Sequence, residues 1–133
     1  MMVDGLRRIY NAMRNGDVTV MVIKTNFMRS ILDLLSKEGY IQGYKISEEH
    51  PTRIKVYLNR NKYNLTFKIY RNGGYKKYVS YKEVRRLYSR RRCVSVITTS
   101  KGLYTVSDIV NGDLGVGGEL LFDILLESKG HGR

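Results

Sequence analysis

The sequence predicts an α+β protein of two small lobes: an N-terminal helix-strand-helix-strand-strand unit over residues 1–71 and a C-terminal, mostly antiparallel β unit over residues 72–133. Two observations predict it. Through the first half, apolar residues at helical spacing alternate with β-branched runs, the order that packs helices on one face of a small sheet. In the second half, short apolar strands are separated by turns dense in hydroxyl and glycine residues, Thr98-Thr99-Ser100-Lys101-Gly102 and Gly115-Val116-Gly117-Gly118-Glu119.

Residues 4–15 read as a helix, with Asp4 as its cap, Leu6, Ile9, Tyr10 and Met13 at 3-4-3 spacing, and Gly16 as its stop. Val18 to Ile23 is β-branched almost throughout and reads as a strand. Asn26 to Lys37 is a second helix, with Phe27, Ile31, Leu34 and Leu35 as the apolar stripe and Gly39 as the stop. Residues 40–47, 53–58 and 65–71 follow as strands, with a polar turn at Asn59-Arg60-Asn61. Asn72-Gly73-Gly74 opens the second half. Residues 81–88 make one or two helical turns, and Cys93 to Ile97 is a strand leading into the hydroxyl turn. Leu103 to Thr105 returns as its hairpin partner, Ser107 to Val110 forms a short capped turn of helix, and Glu119 to Leu126 is the last strand. The tail from Glu127 to Arg133 is expected to be flexible.

Charge narrows the class. Across 133 residues, 24 Lys and Arg stand against 12 Asp and Glu, a net charge of +12, which suits a polyanionic partner. The one cysteine, Cys93, cannot form an internal disulfide and has no nearby histidine to make it a nucleophile. His50 and His131 are isolated, so no zinc spacing exists. No run approaches the ~20 apolar residues of a membrane helix. The start, Met1-Met2-Val3-Asp4, has neither a secretory apolar segment nor a transit-peptide composition, so no targeting extension is expected. A single proline, eleven Tyr and many Asn, Lys and Ile resemble the coding bias of an AT-rich genome, which suits an organellar gene.

Four groups of residues are candidates for contact with RNA. In the hydroxyl turn, Thr98, Thr99, Ser100, Lys101 and Gly102 offer three hydroxyls and an ammonium, groups that hydrogen-bond sugars, base edges and phosphates. In the glycine turn, Gly117, Gly118 and Glu119 allow close backbone approach. The basic cluster from Arg85 to Arg92, with Arg90 and Arg91 chosen from it, would neutralise phosphates. Tyr75-Lys76-Lys77-Tyr78 interleaves rings and cations and could stack an unpaired base. Each group has a plainer reading: an ordinary hairpin turn, a solvated basic loop, half-buried strand tyrosines. The run from Gly112 to Gly118 precedes a strand instead of following one, which argues against a dinucleotide loop. Asp33, Glu38, Glu48 and Glu49 read as solvated charges.

The motifs resemble those of a known family, small-subunit ribosomal protein eight of bacteria and organelles. That family carries Ser-Thr-Ser-Lys-Gly and Gly-x-Gly-Gly-Glu turns at this spacing; here Thr98 replaces the first serine. Asp4, Arg14-Asn15-Gly16 and Lys37-Glu38-Gly39-Tyr40-Ile41 match in the same order, so the likeness spans residues 4–126. Asn72-Gly73-Gly74 departs from the family's Arg-Pro-Gly and leaves that linker less fixed. The resemblance implies a non-enzymatic constituent of the small ribosomal subunit that needs no cofactor. It would bind an irregular stem in the central domain of small-subunit rRNA, assist assembly and touch neighbouring small-subunit ribosomal proteins, with no membrane partner. Arg14, Asn15, Lys24 and Asn26 would grip backbone beside the C-terminal turns. The expected location is the ribosome, in bacterial cytoplasm or an organelle matrix, with the mitochondrion favoured. A free-standing regulator binding a messenger that mimics the rRNA site is the alternative. An enzyme would need titratable groups converging on a pocket, and the sequence offers none.

Overall fold

The structure, a computed structural model, describes residues 2–59, 63–70 and 77–128. It has the α+β class expected from the sequence, and its backbone divides into two compact units, one up to Leu65 and one over Thr66–Glu127. The predicted linker at Asn72-Gly73-Gly74, the turn residues Arg60 and Asn61, Tyr75, Lys76 and the tail from Lys129 onward lie outside the described residues.

The first unit contains α1 (Met2–Asn15), β1 (Thr19–Ile23), α2 (Asn26–Lys37), β2 (Ile41–Ile46) and β3 (Arg53–Leu58). The strands form an antiparallel sheet in the order β1-β3-β2. Its core is built by two periodicities. Helical spacing turns Leu6, Ile9 and Ala12 of α1 and Met28, Ile31, Leu32 and Leu35 of α2 inward. Strand alternation presents Val22, Ile54, Val56 and Leu58 to them, all buried. Both helices end at glycines with positive φ, Gly16 at 78° and Gly39 at 81°. The start of α1 differs from expectation. The helix already begins at Met2, so Asp4 lies inside the first turn and pairs with Arg8 at 3.2 Å instead of capping. There an acid still complements the helix dipole, which is why its position looked like a cap. Asp33 also departs from a simple solvated charge, since Tyr44 Oη donates to it at 2.6 Å.

The second unit holds β4 (Tyr63–Ile69, which begins before the boundary), β5 (Lys77–Val79), α3 (Tyr81–Tyr88), β6 (Cys93–Thr99), β7 (Gly102–Thr105), α4 (Val106–Asn111) and β8 (Gly118–Ser128). The sheet runs β4-β8-β6-β7, with β5 also paired to β8. Ser80 caps α3 by accepting from the Glu83 amide, and Thr105, not Ser107, caps α4 by accepting from the Asp108 amide. Val84, Leu87, Ile109, Val106, Ile97 and Leu120 close the core between these helices and the sheet. Phe67 meets the fully buried Phe122 edge-on, with ring centroids 5.9 Å apart.

The entry into β8 is closely packed. A Cβ on Gly117 would lie 2.1 Å from the Val79 carbonyl oxygen, and one on Gly118 would lie 2.2 Å from the Thr98 carbonyl oxygen. Neither glycine has positive φ, so close packing alone demands them. Gly118→Val should therefore lower stability by about 1–3 kcal/mol through overpacking. A thermal melt checks this; an unchanged midpoint would mean that the backbone yields without cost.

Candidate nucleic-acid interface

The hydroxyl turn is the tip of the β6–β7 hairpin, where Thr98 pairs with Leu103 and Thr99 with Gly102. Its hydroxyls are not equivalent. Thr99 Oγ1 accepts from the Lys101 amide at 3.0 Å and donates to the Gly102 carbonyl at 2.9 Å, while Tyr104 Oη reaches the Lys101 carbonyl at 3.3 Å. These bonds close the turn on itself. The pattern of residues suggests that Thr99 contacts a partner; in the structure its hydroxyl already holds the hairpin. Ser100 and Lys101 are exposed at the tip, and among the described residues the Ser100 hydroxyl forms no hydrogen bond. Thr98 is half-buried, with its carbonyl against Gly118 and its backbone in register with Glu119. The hydroxyl and glycine turns therefore lie side by side. Glu119 is buried, at 7% exposure, which leaves little of it for a ligand to touch.

Arg90 and Arg91 part company. Arg91 is exposed. Arg90 sends its guanidinium to Ser95 Oγ at 2.6 Å and to Asp123 Oδ2 at 3.2 Å. Ser95 donates to Asp123 Oδ1 and Tyr70 Oη donates to Asp123 Oδ2, each at 2.6 Å. Asp123 is 1% exposed, and three donors with one opposite charge satisfy it. Tyr70, Ser95 and Asp123 were not among the residues singled out from the sequence. Asp123 is the lone acid inside the apolar run of β8, and that isolation was the available signal that a cation must come to it. Burial and the hydrogen bond to Asp123 push the Tyr70 phenol up to about 12. Burial and the Asp123 charge also raise the Cys93 thiol, which works against a thiolate nucleophile. Lys68 and Lys77 hold their ammonium groups 5.2 and 5.1 Å from the Tyr70 ring. In the same stretch Arg86 pairs with Glu83 along α3.

In the first unit the expected residues fall into two pairs. Arg14 and Asn15 end α1, both exposed, with the Arg14 guanidinium 5.4 Å from the Tyr10 ring centre. Lys24 and Asn26 are exposed on either side of Thr25, whose hydroxyl caps α2 by accepting from the Met28 amide at 2.9 Å. Strand β1, about 16 Å long at ~3.3 Å per residue, lies between the pairs, which flank its opposite ends. They do not form one cluster. An open hollow of about 330 Å³, lined by Gly16, Asp17, Val18, Gln42, Leu58 and Asn59, adjoins the Arg14-Asn15 end. Among the described residues no group of three His, Cys, Asp or Glu could hold a metal ion, and no helix is long and apolar enough to cross a membrane.

Comparison with known proteins gives the class first: the relatives are ribosomal proteins. The chain belongs to the family described as Ribosomal protein S8, whose profile matches residues 1–125. It is 36% identical over 124 residues to the small ribosomal subunit protein uS8 of Parabacteroides distasonis. It is 33% identical to the protein of that name from Azobacteroides pseudotrichonymphae and 34% identical to that from Campylobacter hominis. Each alignment covers 89% of this chain and 92% of the relative. These relatives are bacterial, and they lend no support to the mitochondrial location expected from composition.

The buried network yields two expectations. Asp123→Asn removes the charge that Arg90 faces. Because the Arg90 side chain is 36% exposed, water compensates in part, and the loss should be about 1–3 kcal/mol in denaturant unfolding. Tyr70 has a folded pKa above the ordinary 10.0, so the stability it supplies is whole below pH 10 and fades as pH climbs toward 12. The Tyr40 and Tyr44 phenols are raised as well, so spectroscopic titration should find several late-ionising phenols, with the phase near pH 12 abolished by Tyr70→Phe, and that variant's stability should fall less steeply above pH 10. A phase near pH 12 that persists unchanged in Tyr70→Phe would assign it elsewhere.

Proposed function

We propose that this protein is a non-enzymatic constituent of the small ribosomal subunit. In this reading it binds an irregular stem in the central domain of small-subunit rRNA and helps that domain fold. Family membership supports the ribosomal role. The observation that favours RNA contact at the hairpin tip is the division of labour inside it. Thr99 holds the turn closed, while the adjacent Ser100 hydroxyl and Lys101 ammonium stay exposed and available. A-form RNA hides its major groove, so such a tip meets sugars, phosphates and the unstacked bases of an irregular loop.

The glycine pinch supports the tip from behind: Gly118 brings the start of β8 against the Thr98 carbonyl, Gly117 packs on the Val79 carbonyl, and together they fix where the hairpin points. Gly118 therefore acts by packing. Arg91, Lys101 and, in the first unit, Arg14, Asn15, Lys24 and Asn26 supply or border phosphate contacts. Arg90 contributes chiefly by holding its loop to Asp123. Neighbouring small-subunit proteins are partners in this reading.

Ser100→Ala tests the specific part, since it removes one hydroxyl and no charge. Binding to the cognate rRNA stem should weaken by ~1–3 kcal/mol, with melting and binding to unrelated RNA unchanged. Wild-type affinity in that variant would reduce the turn to scaffolding. The electrostatic part is tested by salt: affinity for the stem should fall steeply with ionic strength, and a flat log–log plot would contradict phosphate contact.

A further inference from the structure

The sheet of the first unit has two faces, and the helices occupy only one. Side-chain alternation assigns the other. Val20, Val22, Ile54 and Val56 are in register with each other and face α1 and α2. Met21, Ile23, Arg53, Lys55 and Tyr57 therefore stand on the opposite face, joined from β2 by Lys45. Ile23 is 39% exposed, Arg53 and Lys45 are exposed, and Met21, Lys55 and Tyr57 are half-buried.

This face holds three cations and no acid, because β1, β2 and β3 contain no Asp or Glu. Lys45 and Lys55 are direct cross-strand partners, and like charges opposite one another work against sheet pairing. Among the described residues, no ion pair involves Lys45, Arg53 or Lys55. The Lys55 ammonium lies 5.7 Å from the Tyr57 ring centre, so the row of cations ends beside an aromatic platform. An open sheet with cations, a ring and apolar neighbours is complementary to a strand whose phosphates and unstacked bases are both accessible. A duplex offers only its phosphates to such a surface.

We propose that the helix-free face of the β1-β3-β2 sheet is a second RNA-contacting surface, which takes an unpaired strand: Lys45, Lys55 and Arg53 meet phosphates and Tyr57 stacks a base. The proposal rests on the reading of the protein as RNA-binding but not on the hairpin tip. The occupant also explains the Lys45–Lys55 pairing, since a phosphate between two ammonium groups converts their repulsion into attraction.

The test uses the full chain with two probes, a ten-nucleotide single-stranded oligouridylate and a blunt RNA duplex of equal length. Lys45→Gln/Lys55→Gln should melt no lower than the parent, because it relieves a repulsion. It should bind the oligouridylate at least about fivefold more weakly, with a salt slope shallower by about 1.4 for two lost phosphate contacts on a single strand. Tyr57→Leu should weaken that binding while leaving the slope unchanged, and duplex binding should change little in either variant. Arg7→Gln/Lys82→Gln, which removes equal charge from exposed positions on α1 and α3, serves as the control. An equal loss in the control, or no loss in Lys45→Gln/Lys55→Gln, overturns the proposal. Ser100→Ala separates the two surfaces: it should bind oligouridylate as the parent does. A parent that binds the cognate stem but not oligouridylate would overturn this face alone, whereas a parent that binds only oligouridylate would overturn the hairpin reading and leave this one standing.

Discussion

Backbone pressed against backbone, with no space for a side chain between, governs the second unit. At the entry to β8, Gly117 meets the Val79 carbonyl and Gly118 meets the Thr98 carbonyl, each closer than any Cβ could tolerate. The strand that follows pairs with β5 on one side and β6 on the other. The same approach sets the Thr98–Glu119 register, and with it the position of the hairpin that ends at Ser100 and Lys101. The glycines serve this geometry by what they lack, and they need no contact of their own with a ligand.

Farther along β8, polarity solves a different problem. A carboxylate in a buried strand is costly unless donors surround it. Asp123 gathers Ser95 from β6, Tyr70 from just beyond β4 and Arg90 from the loop after α3. Three separate stretches of chain are thus tied to one residue of β8. The arrangement removes one arginine from a basic cluster that, judged by charge alone, looks uniform, and leaves Arg91 exposed beside it.

How legible the fold was depended on whether local signals sufficed. Helix α2 and helix α3 occupy the residues their patterns indicated, because each follows a hydroxyl cap, Thr25 or Ser80, and carries a clear apolar stripe. Strand β3 alternates cleanly and was equally plain. Helix α1 begins earlier than Asp4 suggested, since an acid favours the whole first turn and does not single out the cap. That the glycine turn permits close backbone approach was legible from its composition. The assignment of Thr99 to the turn itself, the burial of Glu119 and the diversion of Arg90 were not, because each depends on partners far away in sequence or on hydrogen bonds that residue type alone does not choose.

The Thr99 hydrogen bonds have a kinetic consequence. A loop that must be ordered on contact loses conformational entropy at that moment, and many of its encounters are unproductive. Here the Thr99 hydroxyl accepts from Lys101 and donates to Gly102 within the chain itself, so the turn is shaped in advance. An encounter with a complementary surface then requires only that Ser100 and Lys101 arrive in the right orientation. In the proposed RNA-binding role, a preshaped tip would let the rate of capture follow diffusion and charge instead of loop folding.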